Sequence, residues 1–183
     1  MDLVPDNQIG SLSREGIDLA IVPRTEFPEW VAAQPVHHSS FAFVARRGHP
    51  RLARAGVDPG DTVPIDLLAD LGFVLFSPEG KRKGLADAAL ARVGRQRRVV
   101  MSLPTMTGVL SSVSGSDLCS ITPEQLAMAK APVLGLALYR LPFHMPKVQL
   151  NMIWHRRHSS SPAHSWLRAK VAEVSAELDA MQM

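Results

Sequence analysis

Short, mostly apolar runs constrain this chain more than any other feature. IDLAIV (17–22), FAFVA (41–45), GFVLF (72–76) and VVMSL (99–103) are each five or six residues long. That is strand length, and the unbroken apolar character of FAFVA reads as a strand covered on both faces. LCSI (118–121) reads as one more short strand. The intervals between the runs carry helical spacing. VPIDLLADL reads as a short helix with Pro64 in its first turn. A helix from about Gly84 to Val93 would put Leu85, Ala89 and Val93 on one face. After Pro104, Met106, Val109, Leu110 and Val113 recur at helical intervals. TPEQLAMAK starts a helix with Thr122 as N-cap, Pro123 in the first position and Gln125 closing a capping box. Strands alternating with helices predict an α/β architecture with a largely parallel sheet.

The two ends read less regularly. Ile9 and Leu12 predict a short helix, stopped at Gly16 by a left-handed cap. Pro50 and the following ARAGVDPGD read as a loop. VQLNMIWH (148–155) alternates Val148, Leu150, Met152 and Trp154 on one side, as a half-buried strand does. A final helix begins at Ser161 and Pro162, with Leu167, Val171, Val174 and Leu178 along one face.

Composition narrows the setting. No apolar run approaches the ~20 residues of a membrane span, so no membrane partner is expected. The opening MDLVPDNQIG has neither the basic start nor the apolar core of a signal peptide. Cys119 is the single cysteine, which excludes an internal disulfide and fits a reducing, cytoplasmic setting. The segment KRKGLADAALARVGRQRR (81–98) holds seven of the chain's 20 Lys and Arg residues and one acid, Asp87. With few aromatics nearby to stack on bases, it reads as a solvated helix face rather than a nucleic-acid surface.

Catalytic chemistry is absent from the motifs. SPEGKRKG lacks the Lys-Ser/Thr pair of a Walker loop, SVSGSD has the wrong order for a nucleophile elbow, and no dinucleotide fingerprint exists. No cofactor, metal or catalytic residue is therefore expected, and an enzyme is the least favoured reading. His155, His158 and His164 lie within ten residues, but without cysteine or H-E-x-x-H spacing they read as incidental loop histidines. Cys119, in an apolar run, reads as a small core residue. Ligand binding is better served by loops after strands, where α/β sheets hold small molecules. Three such loops are Val22–Thr25, Ser77–Gly80 and Pro104–Thr107.

In chain order these stretches resemble the effector-binding domain of LysR-type transcriptional regulators. LSREGIDLAIVP, FAFVARRGHPRLA with its Gly48-His49-Pro50, GFVLFSPEG with LADAALARVGRQRRV, MSLPTMTGVLSSVSGSDLCSITPEQLA, and VQLNMIWHRRHSSSPAHSWLR each resemble a family segment. Together they span nearly the whole chain. The resemblance implies two small α/β subdomains of periplasmic-binding-protein-like type, joined by two crossing strands, with an effector in the cleft. Subdomain one would be 1–36 and 146–183, subdomain two 46–141, and the hinge crossings 37–45 and 142–145. The crossings run through QPVHHSSFAFVAR and YRLPFHMPKV. Arg24, Ser77, Pro104, Thr105, Met106 and Thr107 would hold a small polar or anionic effector, with Met106 as an apolar wall. The family dimerises through subdomain one, and binds DNA through a helix-turn-helix.

The departure lies at the start. In the family, DLVPD would be the second strand of subdomain one. The first strand and helix, and the helix-turn-helix before them, are not in this sequence, so the chain is expected to be a fragment of such a regulator. A solute-binding protein of a transport system, with similar lobes, is the alternative.

Overall fold

A computed structural model describes residues 9, 10, 12, 14, 16–78 and 80–180, with side chains described to residue 177. The DLVPD strand and the Leu178 side chain lie outside what is described. The chain divides into two compact units: Ser40–Pro146, and the described parts of Leu3–Ser39 with Lys147–Met183.

The larger unit is organised by β3 (Phe41–Arg46). β3 pairs antiparallel with β6 (Ser120–Pro123) on one edge and with β7 (Leu136–Tyr139) on the other. β4 (Gly72–Phe76) and β5 (Arg98–Leu103) pair in parallel. A parallel bridge from Phe73 to Cys119 joins the two ladders, so the strands run β5-β4-β6-β3-β7. Helices cover both faces of that sheet. Leu52 of α1 (Pro50–Arg54), Leu68 of α2 (Ile65–Asp70) and Leu90 of α3 (Leu85–Arg92) pack with Phe43, Phe73 and Tyr139. On the other face, Val109, Leu110 and Val113 of α4 (Met106–Ser114) and Ala127 and Ala131 of α5 (Glu124–Leu134) pack with Val44, Val74 and Leu136.

The smaller unit is an antiparallel sheet, β1 (Leu19–Pro23), β8 (Val148–His155) and β2 (Val31–Ser39), in the order β1-β8-β2. A 3-10 turn, Arg156–His158, leads to α6 (Pro162–Ala180). Leu12, Ala20, Val22, Val31 and Ile153 form its core.

Several expectations change. The ladders are mostly antiparallel rather than parallel, because β3 runs against its neighbours in one unit and β8 against both of its neighbours in the other. Pro50 begins a helix rather than a loop. Gly48 takes a left-handed φ of 65°, which only glycine adopts easily, and Pro50 then occupies a first-turn position. Thr122 lies in β6 opposite Ala42, and Pro123 is the residue that caps α5, without a side-chain hydrogen bond. The apolar face of α3 is Ala86, Ala89 and Leu90, whereas Leu85 and Val93 are exposed. On α6, Leu167 and Val174 are likewise exposed, while His164 and Ser175 are buried. β8 is buried on both faces from Asn151 to Trp154, so its early alternation does not persist. β7, lacking a long apolar run, escaped the sequence reading as a strand.

Within the basic segment 81–98, Arg95 and Arg97 pair with carboxylates. Arg95 pairs with Asp66 at 2.9 Å. Arg97, whose side chain is 1% exposed, pairs with Asp87 at 2.7 Å and lies over the Phe73 ring at 5.3 Å. Burial raises the Asp87 carboxyl pKa, but hydrogen bonds from Arg97 and the Gly84 N–H, and the guanidinium charge, outweigh it and leave the value lowered. A lowered carboxyl contributes stability above its unfolded value, near 3.9, that is lost as pH falls through the folded value. Asp87→Asn should therefore cost about 3 kcal/mol in urea denaturation at pH 7, because it strands a buried guanidinium. Its stability should also fall less steeply than the wild type's below about pH 4.

Candidate functional site

The ends of β4 and β5 form the strongest candidate site. Their parallel register sets Phe76 opposite Leu103, and the Ser77 N–H continues the ladder to the Leu103 carbonyl at 2.9 Å. Ser77 therefore sits beside the chain as it leaves β5 through Pro104 and Thr105. Ser77 is 9% exposed. Its carbonyl accepts from the Gly80 N–H at 3.1 Å in a tight turn, where Gly80 has a φ of 70°.

Thr105 shapes the other half. Its extended backbone makes it the N-cap of α4, and its Oγ1 accepts from the Gly108 N–H at 3.1 Å. A Cβ at Gly108 would lie 2.9 Å from that same oxygen, so the cap requires glycine there. The N–H groups of Met106 and Thr107 precede the first intrahelical bonds and point out of the helix end. Met106 is half-buried; Pro104 and Thr107 are exposed. Ser77, Thr105, Met106 and Thr107 thus bring hydroxyls and main-chain donors to one strand end, with no ionisable side chain among them. Such donors suit a carboxylate or hydroxyl group and offer no proton transfer or nucleophile.

The structure brings together Ser77 and Pro104–Thr107, and puts Arg24 in the other unit. Arg24 follows β1, where its N–H donates to the Gln149 carbonyl at 2.8 Å and its Nη1 to Gln149 Oε1 at 3.2 Å. Two residues escaped the sequence reading. Gly108 gave no signal because a glycine inside a helix pattern has no fixed meaning. Thr122 was masked by its resemblance to a helix cap; it is fully buried in β6, and its Oγ1 has no hydrogen-bond partner among the described residues.

The other candidate groups are structural. Cys119 is fully buried, and desolvation, reinforced by the Asp117 charge, pushes its thiol up to about 12. Among the described residues no cluster of His, Cys, Asp or Glu could hold a metal ion, and no helix is long and apolar enough to cross a membrane.

A family model described as the LysR substrate binding domain matches residues 1–176. The regulator SyrM of Rhizobium meliloti (strain 1021), an HTH-type transcriptional regulator, is 26% identical over 180 residues, covering 96% of this chain and 53% of SyrM. The chain spans about half the length of the curated relatives it matches. The crystal structure of a putative transcriptional regulator from Vibrio parahaemolyticus superposes with a TM-score of 0.80 at 27% identity, covering 100% of this chain and 81% of that one. The effector binding domain of QuiR in complex with shikimate superposes with a TM-score of 0.72 at 18% identity, covering 95% and 79%.

Two measurements follow from the geometry. Thr105→Ala should lose about 1 kcal/mol of stability in urea denaturation, with Thr105→Ser retaining most of it, because only the hydroxyl caps α4. Cys119 should be inert to a thiol reagent at pH 8 in the native protein and react fully once urea unfolds it, since the reactive species is the thiolate.

Proposed function

The chain belongs to the LysR substrate binding domain family, and from that premise we propose that it senses a small polar or anionic metabolite for a transcriptional regulator. The observation that carries this reading is the joined end of β4 and β5, where Ser77 and the Thr105-capped start of α4 present uncharged donors side by side. A carboxylate or hydroxyl of the effector would bond Ser77 Oγ and the first N–H groups of α4, with Met106 as the apolar wall and Pro104 and Thr107 at the rim. Arg24 is the proposed contact from the smaller unit. That QuiR, of the same fold, is described with shikimate, a hydroxylated carboxylate, agrees with this chemical class.

The role is binding, with no reaction. The relatives are regulators rather than transport proteins, which favours the sensor over the solute-binding reading. DNA contact belongs to the longer regulator, acting in the cytoplasm through a helix-turn-helix. A homodimer through the smaller unit has support in α6, where Trp166 and Val174 are 65% and 56% exposed. Those side chains would be covered by a second copy.

Thermal melting against shikimate, benzoate and simple aliphatic carboxylates tests the proposal, because a ligand that binds only the folded state raises the melting temperature. At least one carboxylate should do so, and Ser77→Ala should weaken its binding by roughly tenfold or more, the cost of one hydrogen bond to a charged group. Amides of the same acids raising the temperature equally would count against an anionic effector.

A further inference from the structure

We propose that Thr122 is the residue by which the effector site recognises a second oxygen on its ligand, with Oγ1 held buried and unpaired at the end of β6 until a hydroxyl of the effector reaches it. The inference rests on the sensing role proposed above. It adds one contact and narrows the ligand to a carboxylate that also carries a hydroxyl. Thr122 is fully buried, and its Oγ1 has no hydrogen-bond partner among the described residues. Its main chain is provided for, since Thr122 pairs with Ala42 in the β3–β6 ladder. Ser120 is the contrast: two residues earlier on the same strand, its Oγ donates to the Val74 carbonyl at 3.0 Å. A buried hydroxyl without a partner costs stability, so this one calls for an explanation.

The position of Thr122 supplies one. β5, β4 and β6 all run in the same direction, so their carboxyl ends meet at one edge of the sheet. Phe76 stands opposite Leu103 where β4 and β5 finish. The bridge from Phe73 to Cys119 sets β6 beside β4, and the same step three residues on brings Phe76 level with Thr122. Thr122 faces the layer of α4 and α5, because its partner Ala42 is two residues from Val44, which packs there. Phe76 and Leu103 pack against that layer too, and both are half-buried. Among the described residues β4 and β6 share no bridge beyond Phe73–Cys119, and the Val74 carbonyl is taken by the Ser120 side chain. The ladder between them thus stops short of Ser77 and Thr122, at the kind of strand end where open α/β sheets hold ligands.

A carboxylate bound to Ser77 Oγ and the first N–H groups of α4 leaves the rest of the ligand beside the ends of β4 and β6. A hydroxyl there can donate to Thr122 Oγ1 or accept from it. Oγ1 is closed to water, so the effector has to displace half-buried side chains beside it, such as Phe76. The new bond offsets that displacement and satisfies the orphan oxygen. A ligand without the hydroxyl causes the same displacement, gains no bond and leaves Oγ1 unpaired, which is how a hydrogen-bonding site rejects an analogue.

The test uses the full chain and calorimetric titration with paired carboxylates: shikimate and cyclohexenecarboxylate, lactate and propionate, the monohydroxybenzoates and benzoate. At least one hydroxylated acid should bind roughly tenfold or more tightly than its unhydroxylated partner. Thr122→Val exchanges the hydroxyl for a methyl and should bring that pair within about threefold of each other. Its urea midpoint should stay at or above the wild type's, since no bond is lost. Thr122→Ser should keep the preference, and Ser77→Ala should weaken both members of the pair alike. A preference undiminished in Thr122→Val would overturn the assignment. So would a Thr122→Val protein that is less stable than the wild type or fails to fold, because the hydroxyl would then be paired already in the free protein. Wild-type binding that ignores the hydroxyls would overturn it and leave the sensing role standing, whereas binding of none of the acids would remove that role and this inference with it.

Discussion

The larger unit hangs on the double burial of β3. Its two edges are both hydrogen-bonded, to β6 and β7, and its side chains alternate between two cores. Phe43 meets Phe73 and Tyr139 edge to face, with ring centres 5.9 Å and 5.8 Å away, a favoured geometry for aromatic pairs. Val44 enters the opposite layer, under α4 and α5. A strand committed on four sides cannot shift by one residue without exchanging the two cores. That fixes β6, and the bridge from Cys119 to Phe73 then fixes β4. β5 follows by its parallel register. The candidate site is the last consequence of this sequence of constraints, because Ser77 and Thr105 are neighbours only while β4 and β5 keep step.

Polar groups close the places that apolar packing leaves open. The RRGHP segment shows how. Gly48 turns the chain, Pro50 starts α1, and between them His49 is buried, with Nε2 3.0 Å from the Asp117 carbonyl oxygen. That oxygen accepts, so His49 donates from Nε2. Arg46 reaches the Asp117 carboxylate from the same strand end, at 2.8 Å. Two side chains flanking one turn thereby pin the connection from α4 into β6. The Asp87–Arg97 pair acts similarly beneath α3: its carboxylate also accepts from the Gly84 N–H at 2.6 Å, so one anion serves a buried cation and a helix start. At the sheet edge, Arg82 Nη2 takes the Val99 carbonyl at 2.6 Å, where β5 has an irregular register. An edge with its free carbonyl occupied is a poorer template for another strand.

What could be read from the sequence follows from how local each signal is. FAFVA and GFVLF announced their strands because burial on both faces leaves an unbroken apolar run. Val109, Leu110 and Val113 announced the buried face of α4 for the equivalent reason. Leu85, Val93, Leu167 and Val174 misled, because helical spacing says which residues share a face but not whether the fold covers it. Thr122-Pro123 matched a capping pattern, yet pairing with Ala42 in β3 overrode it, as tertiary contacts commonly override local preference. The adjacency of Ser77 and Thr105 was legible only as two loops after two strands; their proximity, through the Ser77–Leu103 hydrogen bond, depends on β4–β5 pairing, which no residue in either loop encodes. The arrangement of the C-terminal histidines with Arg168 depends on the turn at Arg156–His158, which no apolar pattern reveals.

The absence of ionisable side chains at Ser77 and Pro104–Thr107 bears on how such a site discriminates. A charged pocket attracts many anions at long range, and its grip weakens as salt screens it. The larger unit's part of the proposed site, made of hydroxyls and main-chain N–H groups, attracts little until its partner is in contact, and then depends on direction as much as distance; Arg24 would be its charged contact. The penalty for the wrong ligand is correspondingly large. A compound lacking the acceptor leaves buried donors unpaired, and a site built around hydrogen bonds rejects such analogues far more strongly than an apolar pocket rejects a missing methylene. Ser77 meets the condition for that penalty, since little of it reaches water. Thr107, being exposed, does not. In the proposed site, discrimination between related metabolites would therefore reside at the Ser77 and Met106 end, with the exposed Thr107 and Pro104 at the entrance.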